Sequence, residues 1–165
     1  MRKTILALLC ACFLSGCVFD PEKSGGDVRP GDRLPEFSVR MDDGSVLRSE
    51  DLAAGPSLLI FFHTGCPDCR RTLPLVQRAY ENYPDIRFAA VSREEAEAEV
   101  RAWWTENGLT LPFAAQEGRG VYALFAASGI PRIYLSGTGG IVTACFDDDP
   151  CPEYADLVRE LERLR

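Results

Sequence analysis

The chain has 165 residues, 46% of them hydrophobic, and a formal net charge of −7. That length holds one domain with a full core. The acidic balance argues against nucleic acid as a partner, because phosphates demand a basic face.

The first residues read as an export signal. Arg2 and Lys3 form a short basic region, and Ile5 to Leu14 is uncharged and apolar. This apolar run is too short to span a bilayer, which takes about 20 residues. Small residues follow, as in a secretory signal covering residues 1–16. Its end, Leu14-Ser15-Gly16-Cys17, resembles the bacterial lipobox, in which the Cys is diacylated and becomes the new N-terminus. Residues 17–29 then read as lipidated Cys17 and a solvated tether, since Val18 to Arg29 is rich in Asp, Glu, Lys, Gly and Pro. Fully extended, the tether reaches at most about 40 Å. Without residues 1–16 the chain keeps 16 basic residues against 25 acidic ones, a charge of −9. Acyl groups, not a basic surface, are therefore expected to hold it to a membrane.

Residues 30–165 read as the folded domain. Phe37, Val39 and Met41 alternate with Ser38, Arg40 and Asp42; Asp43-Gly44 offers a turn and Val46-Leu47 a return, which predicts a β-hairpin. Ser49 to Pro56 is a connection with room for one helical turn. Ser57 to Phe62 is nearly all apolar, as in a strand buried on both faces of a sheet. Cys66-Pro67-Asp68-Cys69 follows directly, and a helical pattern starts straight after it. Leu73, Val76, Ala79 and Tyr80 lie on one side of that helix, with Arg70, Arg71 and Gln77 on the other. Pro67 suits its first turn, where the missing N–H costs nothing. Pro74, inside it, predicts a kink.

Ile86 to Val91 is the next strand. Ser92 and Glu95 have capping-box spacing and predict a helix running to Asn107, closed by Gly108. Glu94, Glu95, Glu97 and Glu99 read as its solvated face and dipole partners, without a catalytic role. Trp103 and Trp104 are adjacent, so at most one points fully into the core. Gly118 to Ala127 is predicted as a short helix, with Val121, Leu124 and Phe125 on one stripe. After Ser128-Gly129-Ile130-Pro131 come a strand from Arg132 to Leu135, a turn from Gly137 to Gly140, and a last strand from Ile141 to Phe146. Asp147-Asp148-Asp149-Pro150 is a loop. Pro152 to Leu164 is a terminal amphipathic helix with Tyr154, Leu157, Val158, Leu161 and Leu164 apolar. Strand–helix–strand units demand parallel pairs with right-handed crossovers, and the closing pair around a Gly-rich turn is antiparallel. The predicted class is α/β, with a mixed central sheet covered by helices on both faces.

The Cys66–Cys69 spacing puts two thiols one helical turn apart where a buried strand becomes a helix. Unpaired N–H groups and partial positive charge at a helix N-terminus stabilise a thiolate over a thiol. Cys66 is therefore the candidate nucleophile, and Cys69 is close enough to close a disulfide with it. Half of a zinc site is the competing reading. Zinc needs four ligands, yet His63 is the only His and the later cysteines are far down the chain. The strand–CxxC–helix context favours redox chemistry, and no metal or other cofactor is expected. Of seven cysteines, Cys10 and Cys12 leave with the signal and Cys17 carries lipid. The remaining Cys66, Cys69, Cys145 and Cys151 suggest two pairs in an exported protein. A structural disulfide between Cys145 and Cys151 would contribute roughly 2–2.5 kcal/mol. A second redox pair is the alternative there.

With these elements in place, the chain resembles the thioredoxin fold, and specifically the membrane-anchored TlpA/ResA-like thiol–disulfide oxidoreductases. Four features carry the resemblance, which spans about residues 30 to 165. Phe61-Phe62 leads into Cys66-Pro67-Asp68-Cys69. Pro74 falls eight residues after the first Cys, where the family kinks its first helix. Gly129-Ile130-Pro131 stands where the family has its cis-proline loop. Gly31 to Phe37 and the hairpin after it are similar to the N-terminal extension of the TlpA-like and peroxiredoxin-like branch. The resemblance implies a thioredoxin-like three-layer sandwich with an N-terminal β-hairpin extension. It also implies a cis Pro131 against the Cys66 sulfur, with the Ile130 backbone offered to an incoming peptide as an extra strand. Departures from thioredoxin are Gly65 in place of a Trp, Ile60 in place of the buried Asp that helps deprotonate the second Cys, and Arg132 where Thr is common after the cis-proline. His63, three residues before Cys66, reads as packed at the sheet end.

The implied chemistry is two-step exchange. The Cys66 thiolate attacks a substrate disulfide, and Cys69 then resolves the mixed disulfide. Pro67 and Asp68 tune the motif. Asp68 is a negative charge in the turn that holds the thiolate, which argues for a potential nearer about −270 mV than about −120 mV. The expected activity is thus a reductase in an oxidising compartment, the bacterial cell envelope, lipid-anchored and facing the periplasm or the exterior. Its partners would be disulfide-bearing envelope proteins and a membrane electron donor. The competing readings are a peroxiredoxin-like thiol peroxidase, a Cu(I) carrier built from Cys66, Cys69 and His63, and a non-catalytic binding lipoprotein. The peroxidase reading has Thr64 two residues before the Cys, where that family places its Thr three before.

Overall fold

The computed structural model describes residues 27–165, so the expected signal at residues 1–16 and Cys17 lie outside the described residues. The predicted hairpin forms from β1 (Ser38–Arg40) and β2 (Val46–Arg48), paired antiparallel with Val39 opposite Leu47. Those two side chains are the buried ones of their strands, as strict alternation requires. A short helix, α1 (Ser49–Ala53), leads to β3 (Ser57–Phe62), every residue of which is buried.

Next come α2 (Pro67–Asn82), β4 (Arg87–Ser92), α3 (Glu97–Glu106), β5 (Phe113–Ala114), a 3-10 turn at Tyr122–Leu124, β6 (Arg132–Ser136), β7 (Val142–Phe146) and α4 (Tyr154–Arg163). The main sheet has the order β5-β4-β3-β6-β7, with β3 at its centre. β3 pairs parallel with β4 and antiparallel with β6, and β4 pairs parallel with β5. Right-handed crossovers put α2 and α3 on one face of the sheet, and α4 packs on α2. Phe61 and Phe62 point to opposite faces. Phe62 meets Trp104 of α3 at a ring distance of 5.0 Å. Phe61 meets Phe125 at 4.8 Å and Tyr122 at 5.6 Å. Phe125 in turn meets Phe37 of the N-terminal extension, so that extension and the 3-10 turn cover the second face.

Four elements differ from the sequence expectation, each for a local reason. Ser92 does not cap α3. It is the last residue of β4, opposite Phe62, and its Oγ accepts the Gln116 N–H at 3.3 Å. The chain needs four more residues to leave the sheet, and the helix starts at Glu97. The predicted helix over 118–127 is only the 3-10 turn. Tyr122, Phe125 and Ala126 are buried there, and Leu124 is 43% exposed. Strand β5 is two residues long, too short to show a period. Gln77, read as solvent-facing, is 7% exposed. Its side-chain oxygen accepts the Thr110 and Leu111 N–H groups, tying α2 to the segment before β5. Trp104 is the buried member of the Trp pair, and α2 continues through Pro74.

Burial fixes the protonation of several groups. Tyr134, whose hydroxyl donates to the Phe125 carbonyl at 3.2 Å, has its phenol pushed up by burial from 10.0. The Cys145 thiol is pushed up by burial from 9.0 to about 12. An unfolded chain ionises these groups at their ordinary values, so the folded state holds more protons from pH 9.0 to about 12. The stability these protonated groups contribute is complete below that window and is lost as pH rises through it. Under reducing conditions the urea midpoint is expected to fall between about pH 8 and about pH 10.5, and Cys145→Ala should lessen the fall.

Candidate functional site

The site is built where β3 gives way to α2. His63, Thr64 and Gly65 make the turn, and Cys66 is the N-cap of α2 with extended backbone, φ −82° and ψ 123°. Helix N-caps usually offer a side-chain oxygen to an orphan N–H. Here the Cys66 sulfur takes that place and accepts the Cys69 N–H at 3.4 Å. Pro67 fills the first helical position. Its ring presets the helical φ without losing a needed donor.

The two thiols have opposite surroundings. Cys66 is half-buried and its thiol lies 3.5 Å from the Ile130 carbonyl. Cys69 is fully buried, and burial pushes its thiol far above 9.0. All four described cysteines are free thiols. A half-buried thiol at a helix N-terminus is suited to attack, and a buried neutral one beside it is suited to resolve. Asp68 is paired with Arg71 on the outer face of the first turn.

The Ile130–Pro131 peptide bond is cis, as is Asp149–Pro150. Pro131 is buried directly before β6, on the loop whose Ile130 carbonyl faces the Cys66 sulfur. That loop is braced from several sides. Gly129 has φ +81°, and a Cβ there would lie 2.7 Å from Asp148 Oδ1, so both conformation and space call for glycine. The Tyr122 hydroxyl donates to the Gly129 carbonyl at 2.7 Å. Arg132 is 16% exposed, donates to the Ser128 carbonyl at 2.9 Å, and forms ion pairs with Asp27 at 3.5 Å and Asp147 at 3.6 Å. Asp27 also accepts the Ala127 N–H at 3.0 Å.

A buried carboxylate, read from the sequence as solvated, lies behind the turn. Glu95 is 3% exposed. Its two oxygens accept the Thr64 N–H at 3.0 Å each, and one also accepts the Thr64 hydroxyl. Arg70 donates to the carbonyl of the same residue. His63 lies just past β3, with Nδ1 accepting the Gly65 N–H at 2.9 Å and sitting 3.5 Å from Glu95. Local spacing carries no signal for this placement of Glu95, because the helix start at Glu97 follows from the sheet's pairing of Ser92 with Phe62. Among the described residues, no group of three or more His, Cys, Asp or Glu side chains is arranged to hold a metal ion.

Cys145 and Cys151 line one cavity of about 310 Å³ with Arg132, Tyr134, Asp147 and Asp156. No disulfide joins them. The Cys145 thiol donates to the Val28 carbonyl at 3.7 Å, and the Cys151 thiol to the Asp148 carbonyl at 3.8 Å.

Comparison with known proteins identifies the family and the fold. The model of the AhpC/TSA family matches residues 30–145. The chain is 27% identical over 119 residues to the thioredoxin-like protein YneN of Bacillus subtilis, covering 70% of this chain and 69% of that one. It is 26% identical over 145 residues to the thiol-disulfide oxidoreductase ResA of Oceanobacillus iheyensis, covering 84% and 76% of the two chains. The solved structure of a thiol:disulfide interchange protein of the thioredoxin family from Chlorobium tepidum superposes with a TM-score of 0.68 at 23% identity, over 84% of this chain and 99% of that one. That likeness is one of fold, and the fold is thioredoxin-like.

The contrast between the thiols gives a direct expectation. In the native, reduced protein, iodoacetamide should label Cys66 while Cys69 resists until denaturant is added. Peptide mapping by mass spectrometry reads the order.

Proposed function

The chain belongs to the AhpC/TSA family, and from that footing we propose that it is a thiol–disulfide oxidoreductase working as a reductase in the bacterial envelope. The observation that carries the reading is the placement of Cys66. Its sulfur caps α2, is reachable from solvent, and faces the Ile130 carbonyl of the Pro131 loop. A substrate segment laid along that loop as an added strand meets the Ile130 backbone, and its disulfide comes to the Cys66 sulfur. The thiolate attacks one sulfur of the substrate and releases the other as a thiol, leaving a mixed disulfide. Cys69 then attacks the Cys66 sulfur, its proton passing to the departing substrate sulfur. The substrate leaves with both sulfurs reduced, and Cys66–Cys69 is oxidised. Burial keeps Cys69 protonated until that moment, which holds the reduced form ready.

Two features support the reducing direction. Asp68 lies between the thiols, where no cation replaces it, although Arg71 offsets part of its charge. Glu95 adds a buried carboxylate behind the turn. Oxidised protein needs a reductant, and a membrane protein carrying electrons to the envelope is the partner that fits this compartment. The signal-like residues 1–16 and the lipobox-like ending at Cys17 support a lipid anchor. Among the described residues, no helix is long and apolar enough to cross a membrane.

Protein lacking residues 1–16 should reduce insulin disulfides with dithiothreitol as the donor. Cys66→Ser should abolish turnover, and Cys69→Ser should stop at a trapped mixed disulfide. Full activity in Cys66→Ser would overturn the assignment, and a couple near about −120 mV would overturn the direction. For the anchor, Cys17→Ser should move the protein from the membrane fraction to the soluble one when envelopes are fractionated.

A further inference from the structure

We propose that Glu95 is a positioning residue of the thiol site, one that orders the turn ahead of Cys66 and holds the Cys66–Cys69 couple toward the reducing end. The proposal rests on the reading of that pair as the redox couple. It starts from a cost. A carboxylate 3% exposed has given up most of its water, and such a group persists only where hydrogen bonds replace the lost hydration. The preceding residue, Glu94, has φ +61°, an unfavourable conformation for a residue with a side chain. This swing carries the chain off β4 and turns Glu95 inward. The Arg93 N–H donates to the Phe62 carbonyl at 3.0 Å and the Glu95 N–H to the Gln116 carbonyl at 3.0 Å, which pins the segment on both sides. A solvent-facing glutamate would need none of this.

What Glu95 holds is the turn that carries the nucleophile. It engages both the N–H and the hydroxyl of Thr64, and His63 Nδ1 engages the N–H of Gly65. The donors on the two residues ahead of Cys66 are therefore turned away from the sulfur. The Cys69 N–H is the backbone donor that reaches it. Both Glu95 oxygens stand as acceptors toward Thr64, the arrangement of a carboxylate. Its charge lies behind the turn and opposes a second negative charge on the sulfur. Disfavouring the thiolate destabilises the reduced form relative to a protein without that charge, so it favours the disulfide and lowers the potential.

The test uses the full-length protein with Glu95→Gln and Glu95→Ala, equilibrated against glutathione redox buffers. Both variants remove the charge. Their equilibrium constants for oxidation by glutathione are expected to fall about tenfold, a shift of about 30 mV toward oxidising. The amide oxygen of Gln can still accept the Thr64 N–H, so Glu95→Ala should lose more insulin turnover than Glu95→Gln. Circular dichroism and melting check that each variant is folded, and if the Ala variant is not, the Gln variant alone decides through its equilibrium constant. Folded variants within twofold of the wild-type constant would overturn the proposal and leave Glu95 a packing residue. A wild-type protein with no titratable Cys66–Cys69 couple would instead sink the redox assignment itself.

Discussion

At the first turn of α2 a sulfur stands where a helix usually carries an oxygen. The Cys69 N–H donates to the Cys66 sulfur at 3.4 Å, and this single contact joins the capping of a helix to the placement of the proposed nucleophile. A helix N-terminus presents the same orphan donors to a capping oxygen or to a sulfur. The contact exists because β3 is buried along its whole length and delivers the turn at a fixed height above the sheet. It also fixes which thiol faces out. With Cys66 as the cap, Cys69 lies one turn in and loses its contact with solvent. The unequal exposure of the two thiols, on which the proposed two-step exchange relies, is thus set by where one helix begins.

Three separate chain segments converge on that point, and none is near the others in sequence. The loop ending in Pro131 brings a carbonyl to the outer side of the sulfur. The segment after β4 brings the Glu95 carboxylate to the inner side of the turn. The first described residues brace the Pro131 loop through Asp27. A sheet with β3 at its centre makes this convergence simple, because β4 and β6 are its two neighbours and both adjoining loops open at the same end.

Much of this could be read from the sequence, and the failures share a cause. The run Ser57 to Phe62, the thiol pair after it and the helical stripe of Leu73, Val76 and Ala79 are local patterns with one physical meaning, and the structure contains them. The constrained loop at Ile130 is implied by the family resemblance and by no local pattern. Glu95 was misread because a Ser and a Glu three residues apart satisfy the spacing of a cap whether or not the helix starts there. The sheet claims Ser92 through its pairing with Phe62, a contact with no trace in local spacing. Gln77 was misread likewise: a polar residue in an amphipathic stretch looks solvated until a distant loop presents two N–H groups to it. The 118–127 segment carries a helical stripe, yet its buried aromatic residues are fixed by Phe61 from across the sheet. Tertiary demand overrides local pattern wherever a polar or aromatic side chain has a long-range partner.

Asp27 and Val28, the first described residues, reach the Pro131 loop from far off in sequence. Val28 donates its N–H to the Phe125 carbonyl, and Asp27 accepts the Ala127 N–H and pairs with Arg132, so both are tied to the segment that runs into the Pro131 loop. The placement of the Ile130 carbonyl over the Cys66 sulfur thus leans on Asp27, 100 positions ahead of the Ala127 it holds.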